Sequence, residues 1–146
     1  MLRASFLGRL PESVQSEVLE ATIVVELPSG QLVYDPQLAI VATGALRVFL
    51  ANPSGRQIAV SYLRCPVSVG LARLAGQAYP VAFQAVGVTR LLRVGRQRFE
   101  GLRHEHPELG WAATEEVTRR LNDVLAETAL VAFGSLRQRV AHHLLA

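Results

Sequence analysis

Few residues in this 146-residue chain have side chains suited to chemistry, and their positions restrict what they can do. There is one cysteine, Cys65, beside Pro66, and there are four histidines: His104, His106, His142 and His143. Cys65 alone excludes an internal disulfide and any Cys-rich metal or iron–sulfur site, and nothing near it in sequence would depress its pKa for redox sensing. His104 and His106 flank Glu105 just before a long helical run and read as solvated turn residues. His142 and His143 are neighbours on a helix, so their side chains point about 100° apart and form no tidy metal pair. No histidine falls within 22–94, the region that reads as β-structure, so a barrel-borne metal site lacks its ligands. No nucleophile–base pair or Gly-rich phosphate loop is visible. Enzymatic function is therefore not expected.

Composition sets the frame for these residues. Half of the chain is hydrophobic and 18% is charged, which fits one folded domain with a genuine core rather than disorder. All the basic side chains are Arg, and the formal charge of +3 is too mild to argue for nucleic-acid binding by itself. No segment reaches the roughly 18 consecutive apolar residues that a membrane span needs. MLRASFLGRLPES is not a signal peptide, because its apolar stretch is short and interrupted by Arg9. The expected location is a bacterial cytoplasm.

The elements that must position these side chains follow from periodicity. Leu10, Val14, Val18 and Leu19 recur at helical spacing, with Pro11 near the start where its missing N–H is harmless. From Thr22 to Val94 the pattern becomes short β runs rich in branched residues: TIVVEL, QLVY, LAIVAT, ALRVFLA, RQIAVSYL, VAFQAV and VTRLLRV. Breaks are expected at 28–30, 35–36, Gly44, 52–55, 65–66 and Gly87, and Asn52-Pro53-Ser54-Gly55 reads as a hairpin turn. Many short strands with frequent turns imply a β-barrel or jelly roll. Gly95 to His104 returns to helical spacing through Phe99 and Leu102.

Pro107 then opens a long helix. Val117, Leu121, Val124, Thr128 and Val131 alternate by four and three residues, the spacing of a two-helix seam. Trp111, Leu125 and Leu130 lie beside the seam and could pack back onto the β body. Glu115, Glu116, Arg119, Arg120, Asn122, Asp123 and Glu127 form the opposite face. The helix either covers its own barrel or meets a second copy, and the length of the apolar stripe favours a homodimer. Phe133, Gly134 and Ser135 form a hinge, after which Ser135-Leu136-Arg137-Gln138 has capping-box form and starts another helix.

The order of β-roll, short helix, long helix, hinge and SLRQRVAHHLLA resembles the effector domain of the Crp/Fnr transcription regulators, the catabolite-activator family. QLAIVATGALRVFLANPSGRQIAVSYL is similar to that family's two strands, glycine and hairpin, with Gly44 and Gly55 at matching glycines. HPELGWAATEEVTRRLNDVLAETALVAFGSLRQRVAHHLLA resembles its dimer helix and the start of the next helix. The resemblance covers about residues 10–146. It implies an α+β fold: a double-stranded β-helix (jelly roll or β-roll) flanked by short N-terminal helices and a long C-terminal dimerisation helix. It places the sensor domain at 1–133, with the dimerisation helix at about 107–133, and assigns 134–146 to a hinge and the first helix leading toward a helix-turn-helix. That reader is absent from this chain, so operator DNA would be met only through a C-terminal domain beyond it.

The same resemblance locates an effector pocket and departs from the family there. Cyclic-nucleotide sites carry a cassette resembling G-E-x-A-L-L followed by P-R-[ST]-A. Its Glu takes a ribose hydroxyl, and its Arg pairs with the cyclic phosphate. The matching stretch here is Gly70-Leu71-Ala72-Arg73-Leu74, then Tyr79-Pro80-Val81-Ala82. Leu71 stands at the Glu position and Pro80 at the Arg position, and the polar pair that would meet the purine falls at Val124 and Leu125. All three polar contacts are apolar, so cAMP or cGMP is not expected to bind in the usual way. The family's haem-bearing loop positions fall near Gly70 and Ala72, and neither residue can ligate iron. No cofactor or metal is expected. The leading expectation is an effector-sensing and dimerisation domain with a degenerate pocket and an unidentified small-molecule effector. The alternatives are a stand-alone protein-interaction module, or a haem or small apolar-ligand sensor of the same fold.

Overall fold

A computed structural model describes residues 5–76 and 80–145; Tyr79 of the cassette stretch and the terminal Ala146 lie outside them. The chain divides into two compact units, 1–113 and 114–146. The first unit holds all the strands. They are β1 (Thr22–Leu27), β2 (Leu32–Val33), β3 (Leu38–Ala51), β4 (Gln57–Arg64), β5 (Val67–Val69) and β6 (Ala82–Val94). It also holds α1 (Glu12–Glu20), α2 (Arg96–Glu105) and the start of α3 (Pro107–Phe133), with 3-10 turns at Phe6–Arg9 and Leu71–Ala75.

The two long strands are the spine of a rolled antiparallel sheet. β3 pairs with β6 from Leu38↔Val94 to Phe49↔Ala82. The outer edge of β6 is taken by β1 along one half and β2 along the other. β3 likewise gives its outer edge to β5 at Ala39–Val41 and to β4 at Ala45–Ala51. Each long strand thus serves two short partners in succession and must bend between them. This is the expected jelly roll, with one difference in detail. Gly44 and Gly87, which the pattern reads as breaks, lie inside continuous strands. Gly44 sits at φ +83°, where the β3–β6 register shifts twice between Val41 and Ala45. A bulge accommodates the extra residue and increases the local twist without ending the pairing. Thr89, fully buried, closes the bulge: its hydroxyl donates to the Ala45 carbonyl at 3.0 Å and accepts from the Ala45 N–H at 3.3 Å.

The predicted hairpin forms at Asn52–Gly55, with Gly55 at φ +81° and its N–H donating to the Asn52 carbonyl at 2.9 Å. The Asn52 side chain accepts from the Ser54 hydroxyl and the Arg56 N–H, which fixes the loop that turns β3 into β4.

Two apolar cores result. Leu27, Ala39, Val41, Leu46, Val48, Val69, Phe83, Ala85 and Leu91 fill the inside of the roll. The second core joins the helices to the roll through Leu7, Val14, Val18, Leu38, Ile40, Leu71, Val94, Phe99, Leu102 and Leu109, with Ala112 and Ala113. Alternation along β3 explains the division: Ala39 and Val41 face one core, and Leu38 and Ile40 the other. α1 and α2 each contribute one apolar stripe, Val14/Val18 and Phe99/Leu102, at the spacing of one helical turn.

The second unit consists of the rest of α3 and of α4 (Leu136–Leu145). The helices are separated at Gly134 and Ser135. The Ser135 N–H donates to Gln138 Oε1 at 2.8 Å, and the Gln138 N–H donates to Ser135 Oγ at 3.3 Å, which is the reciprocal capping box. A side chain at Gly134 would overlap the Leu130 carbonyl, so the chain requires glycine where α3 ends.

Candidate functional site

The cassette stretch forms between β5 and β6. Gly70 adopts φ +82° and starts the 3-10 turn. A Cβ at Gly70 would collide with the Gln37 carbonyl, so glycine is needed to let the turn lie against the β2–β3 connection. Leu71 is 5% exposed and belongs to the core shared with the helices. Ala72 and Pro80 are exposed, Val81 packs against the core of the roll, and Ala82 is buried. Arg73 lies 3.6 Å from Asp35 in a half-open ion pair.

A cleft of about 410 Å³ opens beside this turn, lined by Asp35, Gln37, Leu38, Gly70, Arg73, Leu74, Gly76 and Arg96. Of the cassette stretch named from sequence, Gly70, Arg73 and Leu74 line it. Asp35, Gln37 and Arg96 are not marked as site residues by any sequence pattern. The sequence around them offers only the Asp35-Pro36 turn and the start of helical spacing at Gly95. Gln37 is the one described non-glycine residue with positive φ, at +54°, and its N–H donates to Asp35 Oδ1 at 3.1 Å. Val124 and Leu125 belong to the second unit and are 57% and 56% exposed.

His106 corrects the expectation of a solvated turn residue. It is half-buried, and its Nε2 lies 2.9 Å from Glu17 Oε2 on α1, with Nδ1 3.9 Å from Glu108 Oε1. Hydrogen bonding to Glu17 raises its pKa above 6.5. Partial burial opposes this, and the charges of Glu17, Glu108 and Glu105 add to it. Glu17, Glu105 and His106 bring one ligand atom each within 4.8 Å of one another, the one such group found among the described residues. His104, by contrast, is exposed as expected. His142 and His143 are exposed and meet edge-on at an interplanar angle of 83°. Cys65 is exposed.

Two expectations on α3 also change. Trp111 is 66% exposed and does not cover the β body. Glu116, read as part of a solvated face, is only 6% exposed and is clasped by Arg119 (2.9 Å) and Arg120 (2.8 Å). Burial would raise its pKa, but the two guanidinium groups outweigh that and hold the carboxyl below its usual range. The seam residues Val117, Leu121, Val124 and Val131 are all exposed, at 37%, 56%, 57% and 65%. Thr128 is exposed too, its hydroxyl donating to the Val124 carbonyl at 2.7 Å. Phe133, Leu136, Val140 and Leu144 continue the exposed apolar surface through the hinge.

A rolled sheet with a cassette turn, a short helix and a long helix defines the class: a cyclic-nucleotide-binding-like jelly-roll fold. No protein-family model and no curated protein matches the sequence. Solved structures do. The catabolite activator protein of Thermus thermophilus matches with a TM-score of 0.75 at 22% identity, covering 88% of this chain and 63% of its own. A Eubacterium rectale protein assigned to the Crp/Fnr family of transcriptional regulators matches at 0.74 and 20% identity, covering 96% of this chain and 68% of its own. The sensor domain of the regulator DNR from Pseudomonas aeruginosa matches at 0.67 and 17% identity, covering 84% and 86%. The resemblance read from the sequence is met by the fold: this chain is built like the sensor domain of Crp/Fnr regulators. It spans 63% of the length of the Thermus protein. No described helix is long and apolar enough to cross a membrane.

Proposed function

We propose that this chain is the effector-sensing and dimerising part of a Crp/Fnr-type bacterial transcription regulator whose pocket has lost the usual cyclic-nucleotide contacts, and that it is not an enzyme. The fold supplies the class. The observation that carries the finer reading is Leu71, which stands at the ribose-binding Glu position and is packed into the helix core. With Pro80 at the Arg position, no guanidinium is offered to a cyclic phosphate from that point. The described interior of the roll is lined by apolar side chains such as Phe83, Leu46 and Val48. Losing a charge-assisted contact in a partly buried site weakens binding by about 1.5–3 kcal/mol, or one to two orders of magnitude.

In this reading α3 is the homodimer helix. Its seam offers Val117, Leu121, Val124, Thr128 and Val131 to a second copy. Covering one Leu or Val of that seam stabilises the pair by roughly 1.5–3 kcal/mol, and several together suffice for a lasting contact. Effector binding would alter how the two helices pack, with Gly134 and Ser135 as the hinge to α4. Sedimentation velocity of the full chain tests this. A dimer is expected at micromolar concentration, and Leu121→Glu should weaken it by at least about a hundredfold by burying a charge at the seam. A monomeric parent, or a dimer indifferent to Leu121→Glu, would remove α3 as the interface.

A further inference from the structure

We infer that the cleft beside the cassette turn binds a small metabolite carrying an oxyanion, held between Arg73 and Arg96. The cleft's volume, about 410 Å³, falls within the roughly 300–1,000 Å³ of small-molecule sites. Its charged lining is two arginines and one aspartate, so it carries a surplus positive charge. Asp35 offsets one of the two arginines, its Oδ2 standing 3.6 Å from Arg73 while its Oδ1 accepts the Gln37 N–H, so the surplus rests on Arg96. Arg96 makes no ion pair among the described residues.

The position of Arg96 is itself unusual. It is the first residue of α2, where the helix dipole favours negative charge. The first turn of α2 holds no acidic residue, and Gly95 before it offers no side-chain cap. A cation placed against the dipole and left unpaired at the rim of a cleft creates a local positive potential that an anion would relieve. Gln37, in the left-handed region at φ +54°, adds an amide able to donate and accept.

This cleft is separate from the inside of the roll, since none of its lining residues belongs to the roll's core. Two of them, Leu38 and Leu74, pack instead with the core that contains Leu109, Ala112 and Ala113 of α3. A ligand that tightens the cassette turn therefore presses on the same packed group that seats the first turns of α3. The proposal deepens the sensor reading and rests on it. The α3 seam involves neither Arg73 nor Arg96, and although Arg73 lies in the cassette stretch, neither stands at the Glu or Arg position that meets a cyclic nucleotide, so this site can fail while that reading stands.

Isothermal titration of the full chain at low salt tests it, with inorganic phosphate and citrate as anionic probes and glycerol as a neutral one. Saturable one-to-one binding of phosphate or citrate is expected, with none of glycerol, and the tighter anion identifies the headgroup. Arg73→Gln and Arg96→Gln, both at partly or fully exposed positions, should each weaken it about tenfold or more. Arg137→Gln, on α4, should leave it unchanged. Absence of saturable binding by either anion, or binding that either Arg73→Gln or Arg96→Gln leaves intact, would overturn the proposal.

Discussion

His106 shows how a single side chain can tie helices together. It caps the end of α2, precedes α3 and reaches Glu17 on α1. Glu17, Glu105 and Glu108 surround it from the three helices, and together they raise its pKa above 6.5. A raised folded-state value means that the native protein holds the proton more tightly than the unfolded chain. The stabilisation is thus complete below pH about 6.5 and is lost as pH rises through the folded value. His106→Gln should lower the melting temperature most in mildly acidic buffer, with the difference from the parent shrinking above pH about 6.5. Thermal melts of both proteins across that range check this, and a difference that grows with pH would contradict it. At the same scale, the sequence could not reveal Glu116 as buried. Its neighbours in sequence read as a charged face, and only the two guanidinium groups folded over it make the burial tolerable.

At the scale of elements, the cores hold the site in place. Leu109, fully buried on the first turns of α3, packs in the core that also receives Leu71 of the cassette turn. Leu109→Ala should destabilise the domain by about 2–5 kcal/mol, the range for a buried Leu-to-Ala cavity. Denaturant unfolding would measure it, and a change below about 0.5 kcal/mol would mean that α3 is not seated there. The helices were legible in the sequence because Val14/Val18, Phe99/Leu102 and the seam of α3 repeat at one helical period. The turn at Asn52–Gly55 was legible because its residues have only one comfortable geometry. Gly44 and Gly87 look like breaks in sequence but lie within strands, since a local pattern cannot tell a turn from a bulge in a strand held by partners distant in sequence. β5 is three residues long, too short for alternation to register. The cleft was legible only through Gly70, Arg73 and Leu74 of the cassette stretch. Its other walls come from Asp35, Gln37 and Arg96, joined by tertiary folding alone.

For the whole molecule, the proposal is a sensor that works as a pair, drawn from the fold of the first unit and the exposed seam of α3. In the proposed reading, Leu71 and Pro80 stand where polar groups would fix a cyclic nucleotide, and such side chains can neither accept from a ribose hydroxyl nor pair with a phosphate. Shape without those contacts would leave a nucleotide's charge unpaired, and the apolar side chains described inside the roll would not compensate. Such a domain would respond to a different effector or act by abundance. Calorimetric titration of the full chain with cAMP tests this most directly. The account predicts no saturable binding up to about millimolar nucleotide; a micromolar dissociation constant would contradict it.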